Sequence, residues 1–64
     1  MNWSNIKEIA EQLDQIYPTI EPKTLPLTHL HRMILSLPDF HSEDQTTSRK
    51  VLLKIQQEWT QLQE

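Results

Sequence analysis

Apolar side chains recur at three- and four-residue spacing in three separate stretches of the chain, a period typical of amphipathic helices. The spacing predicts helices over about residues 4–16, 28–37 and 47–62. The apolar stripes are Ile6, Ile9, Ala10, Leu13, Ile16 and Tyr17 in the first helix, Leu30, Met33, Ile34 and Leu37 in the second, and Val51, Leu52, Ile55, Trp59 and Leu62 in the third. No helix can bury its own stripe, so the pattern predicts one all-α, three-helix domain over residues 1–64 with a shared core.

Proline and capping residues indicate where the helices end. Pro18 and Pro38 follow the first two helices, and the residue before a proline is pushed out of the helical region. The expected N-caps are Ser4, Thr28 and one of Thr46, Thr47 and Ser48. Residues 18–27 contain three of the four prolines, so we expect an extended or single-turn connector there. The polar stretch 39–44 is expected to be a loop that Phe40 anchors to the core.

Composition argues against an enzyme. The chain has no cysteine and no glycine, which excludes thiolate nucleophiles, disulfides and glycine-rich phosphate loops. Ser36, His31 and Asp39 coexist, but a catalytic triad needs a cleft that a helical chain of 64 residues rarely provides. We therefore expect a binding protein without catalytic activity.

Charge and hydropathy narrow the classes of partner. The net charge of −3 disfavours nucleic acid and anionic lipid and favours cations or basic protein surfaces. The stretch Met1-Asn2-Trp3-Ser4 lacks the basic start and apolar run of a signal peptide, and no segment approaches the ~20 apolar residues of a membrane span. We expect a cytoplasmic monomer.

The loop after the second helix is the first candidate for a metal site. Asp39, Glu43 and Asp44 place carboxylate oxygens in one short segment, and such oxygens suit ferrous or other divalent ions with water completing the coordination shell. The site would be shallow, exposed and weak. An acidic loop of this length is more commonly just solvated.

The three histidines offer imidazole ligands as well. His29 and His31 are two residues apart, so on a helix they point about 200° away from each other and cannot chelate one ion together. His29 and His41 instead bracket the second helix and the loop that follows it. Exposed helix-surface histidines are the simpler interpretation.

An ordered set of residues resembles the IscX family of iron–sulphur cluster assembly. The matching positions are Trp3-Ser4, Glu8-Ile9-Ala10, Leu13, Tyr17-Pro18, Glu21-Pro22-Lys23-Thr24, Thr28, Leu30-His31, Ile34, Leu37 and Asp39-Phe40. They span about residues 3 to 44, and the third helix agrees mainly in pattern. No single piece is diagnostic, but the ordered set is specific.

The resemblance implies an all-α fold related to the winged helix without a DNA-binding role. Members of the family bind the cysteine desulfurase IscS and bind iron weakly through surface carboxylates, and they are regarded as iron-responsive adaptors. The implied partners of this chain are a cysteine desulfurase and other cluster-assembly proteins, and the implied metal is weakly bound iron.

The chain departs from the family pattern at several positions. His29 stands where the family usually has an aspartate after threonine, and His41-Ser42 stand where an aspartate run follows the phenylalanine. Met33 replaces a usual tryptophan, which changes packing or contact area on the second helix. We expect weaker or pH-dependent iron binding, because an imidazole must be neutral to bind a metal.

Two sets of candidate residues follow from this comparison. The metal candidates are Glu21, His29, Asp39, His41, Glu43 and Asp44. The partner candidates are Glu21, Arg32, Met33, Asp39, Glu43 and Asp44. A second acidic face comprises Glu8, Glu11 and Asp14.

Two other interpretations of the sequence stay open. A small winged-helix-like nucleic-acid or transcription module would require four cations, Arg32, Arg49, Lys50 and Lys54, to converge on one surface. A bare helical domain that fits one unknown partner is also consistent with the pattern.

Overall fold

The computed structural model describes residues 1–41 and 47–64. Within these residues the chain forms helix α1 (Ile6–Ile16), a single 3₁₀ turn (Pro22–Thr24), helix α2 (Leu27–Leu35) and helix α3 (Arg49–Leu62). The described part contains no β-strand. The all-α, three-helix prediction is therefore confirmed.

Helix α3 lies at the centre of the packing, since it contacts α1, α2 and the 3₁₀ turn. The buried apolar residues form one core: Ile9, Ala10, Leu13, Leu30, Met33, Ile34, Leu37, Leu52, Ile55 and Trp59. The second predicted stripe is buried completely, whereas the first and third are buried only in their middle parts. Ile16 and Leu62 are 44% and 42% exposed, so placing these two terminal stripe members in the core was wrong.

The start of α1 differs from the prediction. The helix begins at Ile6, and the position before it is Asn5, which makes no capping hydrogen bond with its side chain. The Ser4 hydroxyl donates instead to Asn2 Oδ1, and the Asn5 Oδ1 accepts the backbone N–H of Asn2. The side chains of this turn thus bond to one another, and the predicted Ser4 cap was wrong.

Helix α2 begins at Leu27, one residue earlier than predicted, and Pro26 takes the cap position. Thr28 lies inside the first turn, so the predicted Thr28 cap was wrong. A proline suits this place because its carbonyl accepts the first helical bond, from the Leu30 N–H at 3.0 Å, and its missing N–H is not needed. The helix ends at Leu35, and Leu37 still reaches the core beyond that end.

Helix α3 is capped by Ser48, one of the three predicted candidates. Its Ser48 hydroxyl accepts the backbone N–H of Val51 at 3.3 Å. Satisfying this N–H fixes the first turn, because the opening N–H groups of a helix have no partner within the helix. The prediction holds for Ser48.

The proline-rich connector forms the expected single turn and is fastened to α3. The side-chain amide of Gln56 donates to the carbonyls of Pro22 and Leu25, and that of Gln63 donates to the Ile20 carbonyl at 2.8 Å. Pro22 itself is buried. Gln56 of α3 and Gln63, the residue that follows the helix, therefore hold residues 20–25 against α3.

Candidate functional site

The first residues of the chain pair with the segment that follows α2. The Met1 amino group donates to the backbone carbonyl of Asp39 at 2.8 Å, and the His41 N–H donates to the Met1 carbonyl at 2.7 Å. These two bonds connect parts of the chain that are 38 or more residues apart. They hold Asp39 and His41 beside the start of the chain.

An aromatic cluster supports the same segment. The Trp3 ring lies edge-on to His31 at 5.4 Å and to Phe40 at 4.7 Å between ring centroids. Edge-to-face contacts of this kind are favourable beyond the area they bury. Phe40 also packs against the core, which confirms its predicted role as an anchor. Asp39 and His41, on either side of it, are exposed.

Helix α2, which precedes this segment in the chain, carries further exposed side chains. His29 and Arg32 are exposed, whereas His31 is half-buried against Trp3. The interpretation as exposed helix-surface histidines therefore fits His29 but not His31. We call the exposed set His29, Arg32, Asp39 and His41 the α2 surface.

Met33 was predicted to contact a partner, and its position limits that role. Its side chain is part of the core and only 7% exposed. The residue at this position supports α2 from beneath, so we leave it out of the α2 surface.

Glu21 lies at the opposite end of α2 from Asp39. Its backbone carbonyl accepts the Thr24 hydroxyl at 3.1 Å, and its carboxylate is exposed. The 9 residues of α2 separate the two acidic positions, and they rise about 13 Å at about 1.5 Å per residue. Glu21 and Asp39 therefore flank α2 rather than meet at one point.

The predicted metal ligands do not assemble into a site within the described residues. No group of three or more histidine or carboxylate side chains there is close enough to hold a metal ion. Glu43 and Asp44 lie outside the described residues. The iron prediction thus stays a prediction. Among the candidate ligands in the described residues, Asp39 and His41 are the two that lie closest to each other in the sequence.

The acidic side chains of α1 form a separate region. Glu8 and Glu11 are exposed and Asp14 is half-exposed, with Lys7 beside Glu8 on the same helix. This second acidic face lies on α1, whereas the α2 surface lies on α2 and the segment after it.

The four cations required by the nucleic-acid interpretation are divided between helices. Arg32 is on α2, while Arg49, Lys50 and Lys54 are on α3. Lys50 and Lys54 line an open groove of about 660 Å³, and neither Arg32 nor Arg49 is part of its lining. Sequence analysis did not identify this groove, because one side of it is formed by Lys23 in the 3₁₀ turn.

The helices of the described ranges were also compared with the length and hydropathy of a membrane span. None of them is long and apolar enough to cross a bilayer.

Comparison with known proteins identifies relatives over nearly the whole chain. The family described as iron-sulphur cluster assembly matches residues 1–64. The chain is also 36% identical over 59 residues to the uncharacterized protein PA3808 of Pseudomonas aeruginosa, a match that covers 92% of this chain and 89% of that protein.

Proposed function

The chain belongs to the iron–sulphur cluster assembly family, the family of IscX, and from this membership we propose that it is a non-enzymatic adaptor that binds the cysteine desulfurase of that machinery. The match over residues 1–64 is the observation that carries the proposal. The proposed adaptor has no catalytic step of its own, and its effect on cluster formation comes from what it binds.

The proposed docking region is the α2 surface together with Glu21 and the acidic residues that follow Asp39 in the sequence, Glu43 and Asp44. Exposed carboxylates attract a basic desulfurase surface over a distance and speed association, and salt screens this attraction. The aromatic cluster supports the proposal because it holds the Asp39 segment in one place before binding. A preformed surface loses less conformational entropy on association.

Weak iron binding is proposed for the same region. A carboxylate from Asp39 and an imidazole from His41 are suitable ligands for ferrous iron, with water and neighbouring carboxylates completing the shell. Both side chains are exposed, which favours weak and reversible binding. A bound cation would reduce the negative charge of the docking region, so iron would weaken its attraction to a basic partner.

The test is calorimetric titration of the protein into the cysteine desulfurase of its own organism over a series of salt concentrations. We expect micromolar binding that weakens as salt rises. Exposed ion pairs contribute about 0.2–1 kcal/mol each, so Glu21→Ala with Asp39→Ala should raise the dissociation constant about 3–10-fold. Glu8→Ala with Glu11→Ala removes the same charge from α1 and is the matched control.

Two results would contradict the proposal. Absence of binding at low salt would rule out the desulfurase as the partner. If the α1 control loses more affinity for the desulfurase than the double variant of Glu21 and Asp39, the partner binds the second acidic face and not the proposed docking region.

A further inference from the structure

The groove on α3 is a second surface with the opposite charge. Three cationic side chains line it, Lys23, Lys50 and Lys54, with Glu64 as the one acidic residue of the lining. The protein as a whole has a net charge of −3. The positive charge of the groove is therefore a local feature, set against an acidic remainder. We call it the lysine groove.

Two of these lysines have no carboxylate partner in the described part of the chain. Lys23 pairs with Glu64 at 3.8 Å, and this is the one ion pair found there. Lys50 and Lys54 are exposed and lie one helical turn apart on the same side of α3. Glu58, one turn further on, is not part of the groove lining. Lys50 and Lys54 are thus exposed cations without a carboxylate partner among residues 1–41 and 47–64.

The groove floor adds apolar and amide contacts to this charge. Leu53 lies along α3 between the two lysines and is 45% exposed. Gln57 and Gln61 continue the same stripe towards the end of α3. Their side-chain amides both donate and accept hydrogen bonds, as a peptide backbone requires.

We propose that the lysine groove binds an acidic, extended segment of a partner protein. From Lys50 to Gln61 the helix rises about 16 Å at about 1.5 Å per residue, the length of about five extended residues at about 3.3 Å each. Alternate residues of an extended segment are about 6–7 Å apart, close to the ~5–6 Å between side chains one helical turn apart. Carboxylates at alternate positions therefore match Lys50 and Lys54.

A protein segment fits this surface better than a nucleic acid does. Phosphate backbones bind through many cations at once, and the other two cations of the nucleic-acid interpretation, Arg32 and Arg49, are outside the groove. The inference does not depend on desulfurase binding, since no residue of the α2 surface lines the groove.

The test uses the intact protein and a fluorescein-labelled ten-residue peptide whose central residues are Glu-Leu-Glu-Ser-Glu. Its control peptide has Gln in place of each Glu. We expect the acidic peptide to bind and to shift the backbone amide NMR signals of residues 50–61, with at least tenfold weaker binding of the control peptide. Lys50→Glu with Lys54→Glu should weaken binding at least tenfold, and Leu53→Ser about threefold.

The matched control is Lys7→Glu with Arg32→Glu, which changes the net charge equally on α1 and α2. Circular dichroism establishes that each variant keeps its helix content. If the Lys50/Lys54 variant and the Lys7/Arg32 variant lose equal affinity for the acidic peptide, the proposal is overturned, because the effect would then come from net charge alone. Equal or tighter binding of a ten-nucleotide single strand, or peptide shifts outside α3, would overturn it too.

Discussion

The two serines near helix starts, Ser4 and Ser48, show that one neighbouring side chain determines whether a serine caps a helix. Both residues are typical N-caps, and the sequence alone treats them alike. Asn2 makes the difference: its side-chain oxygen accepts from the Ser4 hydroxyl and from the Ser4 N–H, which keeps Ser4 within its own turn. The Ser48 hydroxyl meets no such competitor among the described residues and caps α3. Capping was predictable as a set of candidates, and local competition selected among them.

Replacing Ser48 by Ala should therefore lower the free energy of unfolding by about 1 kcal/mol, the usual effect of losing an N-cap. Ser48→Asp should preserve or increase stability, because an anion at the N-terminus of a helix interacts favourably with the helix dipole and here also with the positive charges of Arg49 and Lys50. Urea unfolding followed by circular dichroism measures both changes. Ser4→Ala is the control and should cost less, and an equal loss at the two serines would contradict the assignment.

At the scale of elements, the helices were predictable and the way the connector docks was not. Apolar spacing identifies a helix because burial of one face recurs every turn. The connector is different, since its docking depends on hydrogen bonds between Gln56 and carbonyls more than 30 positions earlier in the chain. In the sequence Gln56 is simply one polar residue among several in α3. Its role depends on the fold already being assembled.

Gln56→Ala should destabilise the protein by about 1–2 kcal/mol, because the partly buried Leu25 carbonyl loses its donor and the Pro22 carbonyl keeps only the Leu25 N–H. Gln56→Glu should cost at least as much, since a carboxylate only accepts hydrogen bonds and would face the same carbonyls. Chemical denaturation provides the measurement. The neighbouring Gln57→Ala is the control, because Gln57 is exposed, and a loss there as large as at Gln56 would show that the amide bonds are not the cause.

At the scale of the whole molecule, charge is arranged by the fold in a way that composition does not reveal. The net charge of −3 indicates an acidic protein, yet the lysine groove is a cationic region of it. Lys23 reaches the groove only because the connector docks on α3. Similarly, Glu21 and Asp39 were predicted as members of the same metal and partner sets, whereas α2 separates them. The helix or connector that carries each charge was predictable from the sequence, and its neighbours across the fold were not.

The pairing of the chain start with the segment after α2 gives the proposed iron site a signature of its own. A paramagnetic ion bound by Asp39 and His41 would lie near residues distant in sequence, because Met1 bonds to this segment and Trp3 contacts Phe40. Titration with Mn²⁺, which accepts the same oxygen and nitrogen ligands, should therefore broaden NMR signals of residues 1–3 together with those of 39–41.

Asp39→Ala with His41→Ala should abolish this joint broadening while leaving circular dichroism unchanged, because both side chains are exposed and only their backbone groups bond to Met1. Anaerobic titration with Fe²⁺ should affect the same two segments. Broadening centred on Glu8 and Glu11 would instead place the metal on α1, since those carboxylates form the separate acidic face. Broadening of residues 39–41 without residues 1–3 would contradict the pairing itself, because a fixed contact exposes both segments to the same ion.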